Sequence, residues 1–152
     1  VSRCLSQAYR YLARRPHLQK ELERKLRVKK YSRPIIERTL EHLREKKYLN
    51  DEDFIRRFIK EEIRLKKSGP LRIAQKLFQK GAAPEAVKHV LQKTYPEEIQ
   101  RQTAAVLVQK KWPVLKSAYP QKAALKLFSF LKQKGFYMET IKTVLPHSDD
   151  DE

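Results

Sequence analysis

Glycine is nearly absent from this chain. Three occur in 152 residues, Gly69, Gly81 and Gly135, and none lies close to another. That excludes a glycine-rich loop of the kind that cradles a nucleotide phosphate. Cysteine is rarer still: Cys4 stands alone, so no disulfide forms within the chain. A single thiol agrees with a reducing compartment, and a cytoplasmic location is expected. Four histidines, His17, His42, His89 and His147, are scattered without metal-ligand spacing. They read as ordinary surface or half-buried residues, and no metal or cofactor is expected. No apolar run approaches the roughly 18 residues a membrane span needs. No charged-then-apolar leader opens the chain at Val1. Catalysis finds no anchor either, since no nucleophile–base set stands out, and the protein is not expected to be an enzyme. The acidic trio Asp51, Glu52 and Asp53 reads as a helix start.

What is present is one pattern written three times. Lys25-Leu26-Arg27-Val28-Lys29-Lys30 is answered by Lys76-Leu77-Phe78-Gln79-Lys80-Gly81 and by Phe130-Leu131-Lys132-Gln133-Lys134-Gly135. Superposing Lys30, Gly81 and Gly135 sets the copies 51 and 54 residues apart. Leu22, Ile73 and Leu127 then fall together, as do Leu26, Leu77 and Leu131. So do Ile36, Val87 and Ile141, and Leu40, Leu91 and Leu145. A period near 50 residues marks an array of like units, each packing on its neighbour. Such an array presents a long surface rather than one pocket.

Scarce glycine and apolar spacing of three and four make the fold all-α, with about nine helices. Expected units are 1–49, 50–95 and 96–147, followed by an acidic tail at 148–152. The first helix should stop before Pro16, and Leu18, Leu22 and Leu26 should line the second. Ser32 is a candidate cap for the third, with Pro34 in its first turn. Ser68-Gly69-Pro70 breaks a helix. Pro113 should bend or end another, and Pro120 should start the next. Gly81 and Gly135 mark left-handed helix ends. Lysine pays about 1 kcal/mol or more in that conformation, so a different turn is expected at Lys30. Tyr9, Phe54, Phe58, Phe78, Trp112, Phe128 and Phe136 sit mostly at core spacing.

Charge is the remaining signal. Thirty-five lysines and arginines against 18 carboxylates leave a net charge of +17. Residues 1–50, 51–95 and 96–152, the last including the acidic tail, carry surpluses of ten, five and two. A surplus this large points to a polyanionic partner: nucleic acid, an acidic protein surface or an anionic membrane. The candidate contacts are Arg24, Lys25, Arg27, Lys29 and Lys30 in unit one. In unit two they are Arg64, Lys66 and Lys67 before the Gly69-Pro70 break, then Arg72, Lys76 and Lys80 at spacing four along one stripe. These clusters are placed to line one groove; the bland alternative is a solvated face.

Several stretches are similar to the RecX family, bacterial regulators of the recombinase RecA. Ala8-Tyr9-Arg10-Tyr11-Leu12-Ala13-Arg14-Arg15-Pro16-His17 resembles that family's first helix and turn. Tyr48-Leu49-Asn50-Asp51-Glu52-Asp53-Phe54 resembles its leucine–acidic–phenylalanine junction. Lys67-Ser68-Gly69-Pro70-Leu71-Arg72-Ile73 with Gln79-Lys80-Gly81 completes the likeness over about residues 5 to 91. Lys30 and Lys47 depart from it, standing where glycine is common. The resemblance implies three tandem three-helix units in an elongated, curved array. It also implies a non-enzymatic monomer that binds the RecA filament on DNA and inhibits its recombinase and ATPase activities, within DNA repair, homologous recombination and the SOS response. The alternative is a basic helical array that binds nucleic acid without a recombinase partner.

Overall fold

Apolar residues three and four apart wind into nine helices among the described residues, 2–146, of this computed structural model. The acidic tail and His147 lie outside the described residues. Unit one holds α1 (Ser2–Arg14), α2 (Gln19–Val28) and α3 (Arg33–Glu45). Unit two holds α4 (Asp51–Lys66), α5 (Pro70–Gln79) and α6 (Pro84–Thr94). Unit three holds α7 (Glu97–Ala118), α8 (Ala123–Gln133) and α9 (Met138–Val144). No described helix is long and apolar enough to cross a membrane.

The repeat register is a packing register. Leu22, Ile73 and Leu127 are fully buried, and so are Leu26, Leu77 and Leu131. The units do not keep three separate cores, however. Cys4, Ala8, Leu22, Leu26, Ile36, Leu40, Leu43 and Leu49 form one cluster. The buried residues of units two and three fuse into a second, which Leu18 joins from unit one. An accessible surface of 10443 Å² exceeds the roughly 8,100 Å² of a compact monomer of this mass. The array is therefore elongated.

The junctions explain the motifs between units. Leu18 does not lie in α2 but precedes it, and its side chain wedges into the unit-two core. Leu49 follows α3 and stays in the unit-one core. Asn50 caps α4, its side chain accepting from the Asp53 N–H at 3.1 Å. Asp51 reaches back to accept from the Gln19 N–H at 2.9 Å, at the start of α2. One acidic motif thus caps its own helix and the neighbour's. Between units two and three the link is backbone to backbone. Gly69 N–H donates to the Lys134 carbonyl at 2.7 Å, and Leu71 N–H to that of Gly135 at 3.0 Å. Gly69 superposes on Leu18, so one junction has a side-chain wedge where the other has bare peptide.

Helix ends repeat as well. The N–H groups of Tyr31, Ala82 and Phe136 return to the carbonyls of Leu26, Leu77 and Leu131. This is the six-to-one bond that closes a helix on a left-handed residue. The different turn expected at Lys30 is not found: Lys30 itself takes φ 68°. Lys47 and Lys67 do the same, at 64° and 54°. Half-buried Tyr31 after Lys30, buried Leu49 two residues after Lys47 and buried Ser68 after Lys67 fix the turns, and each lysine bears the strain. Replacing any one by glycine should raise stability by about 0.5–1 kcal/mol: strain relief of ~1–2 less the entropy glycine adds to the unfolded chain. Urea unfolding measures this; an unchanged midpoint in all three variants would contradict it.

Four local expectations need correction. Ser32 holds the cap position of α3, but its side chain makes no capping bond. Of the two outcomes expected at Pro113, an end is not found: α7 runs through it. The carbonyl that loses its partner there belongs to Gln109, which is exposed and open to water. Pro120 does not start α8 but sits in the preceding turn, which the Lys122 N–H closes onto the Tyr119 carbonyl at 3.1 Å. Phe78 is about half exposed rather than core. It lines an open apolar groove with Leu71, Ala74, Val87 and Tyr137.

Candidate functional site

Eleven cations were singled out by sequence, and the fold sorts them by what they touch. On α2, Arg24 and Arg27 are exposed, and Lys29 and Lys30 are exposed in the turn that follows. None of these four makes an ion pair among the described residues. Lys25 differs. Its Nζ lies 2.8 Å from His17 Nε2 and 5.1 Å from the centre of the Tyr11 ring.

His17 is buried, not the surface or half-buried residue expected. Its Nδ1 lies 2.9 Å from the Arg15 carbonyl. A carbonyl only accepts, so Nδ1 carries the proton, and Nε2 accepts from the Lys25 ammonium. The ring is neutral. Burial, with Arg15 and Lys25 nearby, lowers its pKa below the usual range, against the Arg15 carbonyl bond and the Glu21 carboxylate. Protonation would set a second cation against Lys25. The unfolded chain binds that proton more readily, so this contribution is present above the ordinary histidine pKa and is lost as pH falls. Unfolding free energy should therefore drop between about pH 7.5 and about pH 5.5, and His17→Gln should flatten the drop. A pH-independent wild type across that window would contradict the geometry.

On α5 the stripe meets α4. Lys76 is half-buried; its Nζ lies 3.0 and 3.1 Å from the two oxygens of Glu62. Glu62 is buried. It also accepts from Ser68 Oγ at 2.9 Å and pairs loosely with Lys66 at 3.8 Å. Burial alone would raise its pKa, but the Lys76 and Ser68 bonds outweigh that and hold it below the usual carboxylate range. Lys76 is thus a structural cation. Lys76→Gln should cost about 2–3 kcal/mol, because it strands a buried carboxylate. Thermal or urea unfolding reads the loss; a neutral effect would show that Ser68 and Lys66 hold Glu62 unaided. One turn on, Lys80 sits 5.6 Å over the Phe58 ring. One turn back, Arg72 is exposed and makes no ion pair among the described residues.

At the end of α4, Arg64 pairs with Glu61 at 3.5 Å, and Lys67 Nζ donates to the Arg64 carbonyl at 3.3 Å. The Ser68 carbonyl accepts from the Tyr95 hydroxyl at 2.8 Å. Burial pushes that phenol up to about 12, so it stays a donor at neutral pH.

Sequence reasoning missed Lys134. Its Nζ donates to the Lys66 carbonyl, carrying a unit-three cation to the end of α4. A signal existed: Lys134 superposes on Lys29 and Lys80, both already candidates. The eleven cations do not form one uniform patch. Lys25, Lys76 and Lys80 are engaged internally. Arg24, Arg27, Lys29 and Lys30 stand on unit one. Arg72 stands at the junction of units two and three, with Lys66, Lys67 and Lys134 around the end of α4.

Comparison with known proteins agrees with this architecture unit by unit. A "Regulatory protein RecX" of Chlorobium phaeobacteroides is 33% identical over 138 residues, covering 91% of this chain and 88% of the relative. One from Clostridium botulinum is 29% identical over 147 residues, covering 95% and 68%. The crystal structure of RecX from Lactobacillus salivarius superposes with a TM-score of 0.89 at 22% identity, covering 94% of this chain and 92% of that one. A second, titled a regulatory protein RecX, gives 0.83 at 21% identity. Residues 4–43, 50–91 and 97–145 match the first, second and third three-helix domains of RecX in turn. With all three domains matched in order, the chain belongs to the RecX family of regulatory proteins.

Proposed function

We propose that this protein binds the filament that RecA forms on DNA and inhibits its recombinase and ATPase activities. It acts by occupancy rather than turnover, as a monomer in the cytoplasm, without a cofactor. The observation that carries this reading is the set of cations Arg24, Arg27, Lys29, Lys30 and Arg72, which make no ion pair among the described residues and stand on α2, the turn after it and α5 of a RecX array. A nucleoprotein filament is a periodic polyanion, and an elongated array with cations along successive units is suited to lie along it. Steering by such charge raises encounter rates and orients the complex.

Co-sedimentation tests the reading. Filaments are preformed on single-stranded DNA with purified RecA, and naked single-stranded DNA serves as the comparison. The chain should pellet with filaments at concentrations where it leaves naked DNA largely in the supernatant. Equal recovery with both would favour the plain nucleic-acid array. No recovery with filaments would remove the recombinase partner.

A further inference from the structure

The junction between units two and three gathers more positive charge than it neutralises. Glu62, beside Lys66 and Lys76 there, is buried and already bonded to Lys76, Ser68 and, loosely, Lys66. Arg72 lies directly over the Gly135 turn, close enough that a Cβ on Gly135 would stand 2.5 Å from its backbone nitrogen. The residue before that glycine is Lys134, whose ammonium reaches the Lys66 carbonyl. Two inter-unit peptide bonds, Gly69 to Lys134 and Leu71 to Gly135, fix these positions. Neither Arg72 nor Lys134 has a carboxylate partner among the described residues.

We infer that Arg72 and Lys134, one from each unit, form a composite anion site that takes a phosphodiester of a nucleic-acid backbone. The site does not exist in either unit alone. It rests on the filament-and-DNA reading above and extends it to unit three, which that reading left aside. The chemistry of the donors supports it: a guanidinium fork and an ammonium match phosphate oxygens. Burial and the charges of Arg72, Lys76 and Lys66 disfavour the Lys134 ammonium, against which Glu62 helps only in part. An anion placed there would relieve that repulsion. A polyanion suits better than a lone carboxylate, because the exposed cations Arg24, Arg27 and Arg72 are spread along α2 and α5 rather than gathered at one point.

The test is fluorescence anisotropy with a labelled single-stranded oligonucleotide across a salt series, using the full chain. Wild type, Arg72→Gln, Lys134→Gln and Lys134→Arg are compared, with circular dichroism to check folding. Each cation that neutralises a phosphate contributes about 0.7 to the slope of log K against log salt on single strands. Arg72→Gln and Lys134→Gln should each lower the slope by about that amount, and Lys134→Arg should retain it. An unchanged slope in Lys134→Gln beside a lowered one in Arg72→Gln would overturn the site, leaving Lys134 a tie between turns. Displacement of the oligonucleotide by polyglutamate as readily as by unlabelled DNA of equal charge would overturn the nucleic-acid assignment. Wild type that pellets with filaments yet binds no oligonucleotide overturns the site while the filament reading stands. Oligonucleotide binding with the predicted slopes, but no pelleting with filaments, supports the site and removes the recombinase.

Discussion

Gly135→Ala is expected to destabilise the protein by about 3–5 kcal/mol. Two costs combine there. Gly135 has φ +99°, where an L-residue loses about 1–2 kcal/mol. Its new Cβ would also stand 2.5 Å from the Cβ and backbone nitrogen of Arg72. Backbone cannot swing aside as a flexible side chain can, and overpacking of this kind costs about 1–3 kcal/mol or more. The shift would break the Gly69–Lys134 and Leu71–Gly135 bonds that join units two and three.

The chain carries its own control. Gly81 has nearly the same φ, +98°, but its added Cβ would meet the Lys20 side chain, at 3.4 Å from Cβ and 3.7 Å from Cδ, ordinary contacts. Gly81→Ala should therefore cost only the conformational part, about 1–2 kcal/mol. Gly69→Ala tests the converse. Its φ is an ordinary −81°, yet its Cβ would lie 2.5 Å from the Gly135 carbonyl oxygen and the Phe136 nitrogen. Urea unfolding ranks the three. Equal losses for Gly135→Ala and Gly81→Ala would show that the inter-unit contact yields freely.

This contrast marks what the sequence made legible. The repeat register located Leu22, Ile73, Leu127 and their companions, because helix periodicity and burial are local properties of a short window. The left-handed turns at Gly81 and Gly135 were legible for the same reason. At Lys30 the local rule gave the wrong turn, since the buried Leu26 and the partly buried Tyr31 impose the geometry from outside. The junctions were the least legible. Leu18 fits the α2 spacing, and only its neighbour's core reveals that it points elsewhere. Nothing in the string announces that Gly69 touches Gly135 across 66 positions. The candidate site divides along the same line: exposed cations on α2 were found by composition, whereas Lys76 held by Glu62, Lys25 held by His17 and Lys134 at the junction depend on tertiary contacts.

Charge reversal carries the second large effect. Arg24, Arg27, Lys67 and Arg72 changed together to glutamate should raise the concentration needed for half-suppression of the recombinase by about a hundredfold or more. The basis is at least ~1 kcal/mol per reversed contact, where about 1.4 kcal/mol is tenfold. Lys25 and Lys76 are left intact, because changing them would disturb His17 and Glu62 rather than the surface. The four chosen residues make no ion pair among the described residues, so the variant should keep its helix content and lose little stability. The decisive measurement is the rate of ATP hydrolysis by RecA on single-stranded DNA against added protein, at fixed salt, for wild type and this variant. The account predicts a rate falling with added wild type and scarcely changed by the variant over the same range. Equal suppression by both would reduce the cations to a solvated face, and no suppression by wild type would contradict the filament regulator itself.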